Sequence, residues 1–261
     1  MIQGRSPGPV ERRELIAERL RVAGSVTVAA VEAEFHVSSM TARRDLRALE
    51  RDGRARRTHG GAVAPGTASQ EGSFPSRLRE AAPSRERLGD AACDLVADGE
   101  AVFVDSSTIA YLALGGLLAT GRRMTVLTNS VPVMELVARS EGSQTTLIGL
   151  AGSLRKTTRS FVGPRTIDAI GGHFADKLLL GATGMAGGAL MEPDPLEAEV
   201  KRAMARRSHE TVLLIDGSTL ERAGLGKVAE LDAIGTALVV DASAEQLAPL
   251  RTAGVRIEEV R

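Results

Sequence analysis

The chain has 261 residues, a formal net charge of zero at pH 7, and 43% apolar but only 2% aromatic residues. This length suits two domains of unequal size, and the composition excludes large-scale disorder and predicts a core of Leu, Val, Ile and Ala. The single cysteine, Cys93, excludes an internal disulfide and a multi-cysteine metal site, so we expect it to be buried and inert. No segment has the length and hydropathy of a secretion signal or a membrane span, so we expect a cytoplasmic protein.

The charge is distributed unevenly along the chain. Residues 1–65 contain twelve arginines against eight aspartates and glutamates, a net charge of +4, so the remaining 196 residues carry −4. A basic segment of this kind is typical of a region that contacts a polyanion. We therefore expect the N-terminal quarter, and not the rest of the chain, to bind one.

The N-terminal quarter predicts a tail followed by three helices. Residues 1–9 are rich in Gly and Pro and are expected to form a flexible tail. The segments 10–24 and 26–37 place apolar side chains at helical spacing, which predicts two short amphipathic helices. Ser38 is placed to cap a third helix, and Gly53 is placed to end it. Two short helices joined by a tight turn predict a helix-turn-helix.

The third predicted helix has two chemically different faces. At about 100° per residue, Ala42, Leu46 and Leu49 fall within one apolar arc, and four arginines occupy the opposite side. Asp45 lies at the edge of the apolar arc, so we expect it to have a structural partner within the domain. A basic helix is often only a solvated surface. Here a cap, a two-helix unit, a basic arc and a basic hairpin at 54–63 follow one another, which favours DNA binding.

The hairpin after Gly53 is predicted to turn at Gly60-Gly61 and to form a wing. Because an α-helix fits the major groove and phosphates flank that groove, we expect the third helix to read bases and the wing to contact the backbone. Arginine on guanine is the commonest specific contact, which makes Arg43 and Arg44 the leading candidates. The candidate DNA-binding residues are Ser38, Ser39, Thr41, Arg43, Arg44, Arg47, Arg51, Arg54, Arg56, Arg57 and His59.

The stretch VSSMTARRDLRALERDG (37–53), followed by RRTHGGAV (56–63), resembles the DeoR family of bacterial transcription regulators. The resemblance continues to residue 241 through TNS (128–130), GSLR (152–155), FVGP (161–164), DKLLLGATG (176–184) and EAEVKRAM (197–204). It implies a repressor of a sugar-catabolic operon with a C-terminal domain similar to the sugar-phosphate isomerase fold. Since helix-turn-helix proteins read paired half-sites of duplex DNA, we expect a homodimer or homotetramer.

Composition changes twice beyond residue 64. Residues 65–84 are rich in Ala, Pro, Gly and Ser, which predicts an interdomain linker that ends in a short helical lead-in. From 85 to 261, short aliphatic runs such as AVFVD, TVLTN, KLLLG and ALVVD alternate with helical segments near 84–97, 107–119, 132–140, 164–171, 195–208 and 243–252. This alternation predicts a parallel sheet covered on both faces. The expected fold class is α/β: a small winged helix-turn-helix domain (10–64) and a larger parallel-sheet domain (85–261).

Several predicted strands end in small polar residues, in DSSTIA, TNSVP, GATGMAGG and DGSTL. Parallel α/β sheets bind ligands outside the carboxyl ends of their strands, where helix N-termini and loop N–H groups hold anions. This pattern predicts a site for a phosphate and several sugar hydroxyls. The resemblance implies that the ligand-binding residues are Arg85, Asp105, Ser106, Ser107, Thr108, Thr128, Asn129, Ser130 and Lys201.

Two other functions stay open. The chain has Ile109 and Thr219 where the family commonly has a hydroxyl and a cation, and Arg85 where it commonly has lysine, which is consistent with a regulator whose effector pocket is vestigial. A sugar-phosphate isomerase-like enzyme would instead take its acid and base groups from Glu192, Asp194, Glu197, Glu199 and Lys201. The same stretch is also typical of a surface helix in which Glu197 pairs with Lys201. We expect no catalysis, no cofactor and no metal.

Overall fold

The computed structural model describes residues 7–23, 25–57, 60–63, 72–79, 84–140, 144–217 and 224–260. His59 and Thr219, which figure in the sequence predictions, lie outside these residues, and for Arg56 and Arg85 the backbone alone is described. None of the helices within these ranges combines the length and hydropathy that crossing a bilayer requires.

The N-terminal unit packs three helices on a small sheet. Its elements are α1 (Pro9–Ala23), β1 (Ser25–Thr27), α2 (Val28–Phe35), α3 (Ser39–Arg51), β2 (Arg56–Arg57) and β3 (Gly61–Val63). Ile16, Leu46 and Leu49 are among the buried side chains of its core. The predicted limits of the third helix are confirmed, because the Thr41 N–H donates to the Ser38 hydroxyl at 3.3 Å and Gly53 adopts φ +69°.

The predicted second helix, 26–37, is two residues too long at each end, since α2 ends at Phe35 and His36 adopts a left-handed conformation. Val26 and Thr27 belong to β1, which pairs antiparallel with β3 and sets Val26 opposite Ala62. α2 begins one residue after Thr27 because the Thr27 hydroxyl accepts the Ala30 N–H at 3.0 Å and so caps the helix. The wing is therefore a three-stranded sheet in the order β1-β3-β2.

The C-terminal unit is built on a parallel sheet, as predicted. In the described residues its seven strands lie in the order β15-β14-β12-β9-β4-β5-β6. They are β4 (Ala101–Val104), β5 (Met124–Thr128), β6 (Thr145–Gly149), β9 (Ala175–Gly181), β12 (Ser208–Asp216), β14 (Thr236–Val240) and β15 (Arg256–Glu259). Buried aliphatic clusters lie against both faces of the sheet.

Helices precede and connect the strands. They are α4 (Phe74–Arg79), α5 (Ser84–Cys93), α6 (Thr108–Ala119), α7 (Val131–Arg139), α8 (Pro164–Gly171), α9 (Pro195–Arg206) and α10 (Ala244–Thr252). Two antiparallel additions were not predicted: a hairpin of β7 (Ser153–Arg155) and β8 (Ser160–Val162), and a sheet of β10 (Gly184–Ala186), β11 (Ala189–Glu192) and β13 (Gly226–Glu230).

The strand order reverses between β4 and β9. From β4 the chain proceeds outward through β5 and β6, and from β9 it proceeds the other way through β12, β14 and β15. Loops that leave the two central strands diverge at such a point and open a crevice at the carboxyl edge. Asp105, directly after β4, and Gly181, at the end of β9, therefore lie at the position where this type of sheet binds ligands.

Candidate nucleic-acid interface and ligand site

The exposed face of α3 carries unpaired positive charge. Arg43, Arg44 and Arg47 are exposed, and no other described residue lies within ion-pair distance of them. Arg51 continues the same face and has only Asp52 nearby, at 3.8 Å. Four guanidinium groups on one face of one helix form a surface that is complementary to phosphates and base edges.

A buried ion pair fixes α3 to α1. The Arg12 Nε donates to the Asp45 Oδ2 at 2.7 Å, and both side chains are buried. The expectation that Asp45 has a structural partner within the domain is confirmed. This ion pair helps to fix the orientation of α3 relative to α1, and with it the direction in which the exposed arginines of α3 point.

The hydroxyls at the start of α3 interact with each other. Ser38 Oγ and Thr41 Oγ1 lie 3.1 Å apart, and Ser38 also accepts the Thr41 N–H as the helix cap. Ser39 is exposed at the first position of the helix. Ser38 thus has a structural task that it can perform with or without DNA.

The wing arginines differ in their surroundings. Both terminal nitrogens of Arg54 donate to the Glu14 carboxylate, at 2.6 and 2.7 Å, and this hydrogen bonding lowers the pKa of Glu14. The Arg57 N–H donates to the Glu50 Oε1 at 3.0 Å, which ties the wing to the end of α3. Arg54 would have to share Glu14 or leave it in order to contact a phosphate.

At the carboxyl edge of the large sheet, Lys201 lies between two carboxylates. Its Nζ donates to Glu192 Oε2 at 2.7 Å and to the Gly181 carbonyl at 2.8 Å, and it lies 3.2 Å from Asp105 Oδ2. Burial alone would lower the pKa of Lys201, but the charges of Asp105 and Glu192 outweigh it and raise that pKa. Burial raises the pKa of Glu192 against the pull of Lys201. The contact with Gly181 joins α9 to the switch point of the sheet.

Glu197 is the acceptor for a second group of buried hydroxyls. Ser106 donates to its Oε2 at 2.9 Å, and Thr158 donates to its Oε1 at 2.7 Å, as does Ser160. The surface-helix interpretation of this segment is therefore wrong, because Glu197 and Lys201 are 1% and 4% exposed and each bonds to other elements. α9 turns these two side chains into the site.

The loop that follows β4 is held in place by hydrogen bonds of Asp105 and Ser107. The Asp105 carboxylate accepts the Ser107 hydroxyl at 2.5 Å and the Gly181 N–H at 3.0 Å, and the Ser107 hydroxyl in turn caps α6 by accepting the Ala110 N–H. Thr108 is buried in the first turn of α6. Ile109 is also buried and packs in the hydrophobic core beneath the loop.

Thr128, Asn129 and Ser130, which lie at and just after the end of β5, also make most of their hydrogen bonds within the protein. Thr128 donates to the Val104 carbonyl at 2.7 Å and accepts the Ser130 N–H at 3.0 Å. The Asn129 Nδ2 donates to the Phe161 carbonyl at 2.8 Å, whereas its buried Oδ1 has no hydrogen-bond partner in the described part of the chain. A buried amide oxygen without a donor is an unfilled acceptor at the ligand edge.

Sequence reasoning missed four polar residues that line this edge. They are Arg155, Thr158, Ser160 and Thr183. Arg155 Nε lies 3.3 Å from the Asp194 carboxylate, and Thr183 donates to Glu192 Oε1 at 2.8 Å. The matches at GSLR and DKLLLGATG include Arg155 and Thr183, but neither residue was given a role. In the described residues no group of three or more His, Cys, Asp and Glu side chains is arranged to hold a metal ion.

Two family models match the sequence. Residues 12–68 match the DeoR-like helix-turn-helix domain, and residues 80–242 match the DeoR C terminal sensor domain. The chain belongs to the DeoR family. It is therefore a transcription regulator with a DNA-binding helix-turn-helix, and the C-terminal sheet with its polar edge is the family's sensor domain.

Relatives of this DeoR-family chain match it over most of their length. The HTH-type transcriptional repressor GlcR of Bacillus subtilis is 30% identical over 86% of this chain and 85% of its own. The transcriptional repressor AccR of Agrobacterium fabrum is 30% identical over 86% and 87%, and the glycerol-3-phosphate regulon repressor of Escherichia coli is 28% identical over 87% and 90%. Among solved structures, ribose 5-phosphate isomerase A of Methanocaldococcus jannaschii aligns over 53% of this chain and 54% of its own at 16% identity, with a TM-score of 0.36.

Proposed function

We propose that this DeoR-family chain represses genes for the use of a sugar or polyol, and that a phosphorylated sugar or polyol releases it from DNA. Relatives are named as repressors of a lactose phosphotransferase system and of a glycerol-3-phosphate regulon. The observation that carries the DNA-binding half is the exposed arginine face of α3, which the buried Arg12–Asp45 pair holds in place.

The proposal that an effector binds rests on the polar residues at the carboxyl edge of the sheet, where the strand order reverses. The N-terminus of α6 and the loop N–H groups there suit an anion, and the Asn129 Oδ1 is free to accept a hydroxyl proton. Release follows from linkage: an effector that binds more tightly to the form with low DNA affinity weakens DNA binding by the ratio of its two affinities.

We propose that this site binds its ligand without converting it to a product. Lys201 has three N–H bonds, and the Gly181 carbonyl, Glu192 and Asp105 lie around it in positions to accept them. Glu197 already accepts from three hydroxyls. Groups held in this way support the loops around a ligand and are poorly placed to move a proton on it.

Selection of bound sequences from a random duplex library tests the DNA-binding half. The full chain is expected to enrich one consensus, and Arg43→Ala is expected to lose about 1–3 kcal/mol of preference at one base pair of it. Arg251→Ala is the matched control, because Arg251 is exposed but pairs with Glu259 in the C-terminal unit. Equal losses for Arg43→Ala on the consensus and on random DNA would contradict its assignment to a base.

A melting screen of sugar and polyol phosphates, each beside its unphosphorylated parent, tests the effector half. A true effector raises the melting temperature and dissociates the complex with the selected DNA. Stabilisation by the parent compounds alone would show that the effector carries no phosphate. Turnover of any compound by the full chain would replace the sensor assignment with an enzyme.

A further inference from the structure

Met40 is the most exposed of the large apolar side chains in the described residues, at 81%. A single exposed apolar residue is ordinary on a protein surface. The position of this one is not ordinary, since it is the second residue of α3, on a face that otherwise carries guanidinium groups.

Helical spacing places Met40 at the middle of that face. Arg44 and Arg47 follow it by four and seven residues, so the three side chains lie in one row. The buried residues of α3, such as Ala42 and Leu46, lie on the opposite side. Met40 therefore points away from the core of the N-terminal unit, at the end of the helix whose residues reach base edges in helix-turn-helix proteins.

The chemistry of the major groove offers one apolar group to such a side chain. Every base pair there presents hydrogen-bond donors and acceptors, and thymine alone adds a methyl group, at C5. Methionine is unbranched and polarizable and adapts its shape to a small apolar partner, whereas the neighbouring Arg43 and Arg44 suit guanine or phosphate.

We propose that Met40 is a specificity-determining residue that packs against the C5-methyl group of a thymine in the operator. The proposal rests on the proposed DNA-binding function and names a contact within it. The thymine is expected next to the base pair that Arg43 or Arg44 reads, because these side chains follow Met40 by three and four residues.

Uracil substitution tests the contact, because uracil differs from thymine only in lacking the methyl group. In the consensus selected by the full chain, each thymine is replaced singly by uracil and binding is measured by fluorescence anisotropy. Wild type is expected to lose on the order of fourfold in affinity at one position, the effect of burying one methyl-sized group. Met40→Ala is expected to bind thymine DNA about fourfold more weakly and to be insensitive to uracil at that position.

Two variants serve as controls. Met40→Leu keeps an apolar side chain and is expected to keep the sensitivity to uracil. Leu15→Ala removes an exposed apolar side chain from α1 and is expected to leave both affinities unchanged. The assignment is wrong if the consensus has no thymine beside the Arg43 or Arg44 position, if no uracil weakens wild type, or if Met40→Ala remains as sensitive as wild type. If no consensus emerges at all, the proposed function fails with it.

Discussion

Lys201 is a buried cation at the carboxyl edge of the large sheet. It is 4% exposed and lies between Asp105 and Glu192, which raise its pKa although burial alone would lower it. Since the folded-state pKa is above that of an unfolded lysine, the contribution of the charge to stability is complete below the unfolded pKa. It is lost as the pH rises through the folded value.

Replacement of Lys201 by methionine is expected to lower the free energy of unfolding by about 3–5 kcal/mol at pH 7, because it leaves buried carboxylates without their partner. Urea unfolding followed by circular dichroism measures the change. Lys227→Met is the control: Lys227 pairs with Glu230 on the surface, and its loss is expected to cost about 1 kcal/mol or less. A similarly small effect at Lys201 would mean that the carboxylates are neutralised by protons instead.

At the scale of elements, α1 contacts both α3 and the start of the wing. It holds α3 through the buried pair of Arg12 and Asp45, and it holds the start of the wing through the exposed pair of Glu14 and Arg54. The two contacts have different consequences. The buried one sets the orientation of α3, whereas the exposed one places a carboxylate beside a guanidinium group that DNA would also attract.

Glu14→Gln is therefore expected to strengthen DNA binding. It removes a negative charge and frees Arg54 for a phosphate, so the plot of log affinity against log salt is expected to steepen by about one unit. Anisotropy titrations between low and moderate salt measure the slope on selected and random duplexes. Glu230→Gln, which breaks an exposed pair in the C-terminal unit, is expected to change neither quantity. An unchanged slope in Glu14→Gln would place Arg54 away from the DNA backbone.

The elements that sequence predicts well are those whose limits are set locally. α3 begins and ends where it does because Ser38 caps it and Gly53 adopts a left-handed conformation, and both signals lie within the helix ends. β1 was missed because its partner, β3, lies more than thirty residues along the chain. A three-residue strand of this kind is specified by its pairing and not by its own periodicity.

The candidate ligand site shows the same contrast between features specified locally and features specified by distant parts of the chain. A polar site was predicted because strand ends of a parallel sheet meet at one edge, and the family resemblance then assigned Asp105 and Asn129 to it. Thr158 and Ser160 reach that edge from the β7–β8 hairpin, for which the sequence offers no periodic signal. Glu197 was misjudged because the spacing of an exposed helical ion pair is identical to that of two residues buried against different partners.

At the scale of the whole molecule, the C-terminal half of the predicted linker forms α4, which contacts α6 and the β7–β8 hairpin beside the candidate ligand site. The Phe74 ring packs edge-on against Tyr111 of α6, with 5.5 Å between ring centroids. The Phe74 N–H donates to the Thr157 carbonyl at 2.9 Å, one residue before Thr158, which bonds Glu197. A change at the Glu197 cluster therefore has a direct path of contacts to the chain that leads toward the DNA-binding unit.

Phe74→Ala is expected to reduce the coupling between effector and DNA. We expect the ratio of operator affinities without and with effector, measured by anisotropy, to fall toward one, because α4 loses its anchor on Tyr111. Effector affinity, measured by calorimetry on the protein without DNA, is expected to stay close to wild type, since no contact of the Glu197 cluster is removed.

Phe174→Ala controls for the loss of a phenyl ring, because Phe174 is 62% exposed in the sensor domain and is expected to keep the full ratio. Melting curves of both variants establish that the compared proteins are folded at the assay temperature. If Phe74→Ala is folded, binds effector and is still released from DNA to the same extent as wild type, then the signal reaches the DNA-binding unit by another route than α4.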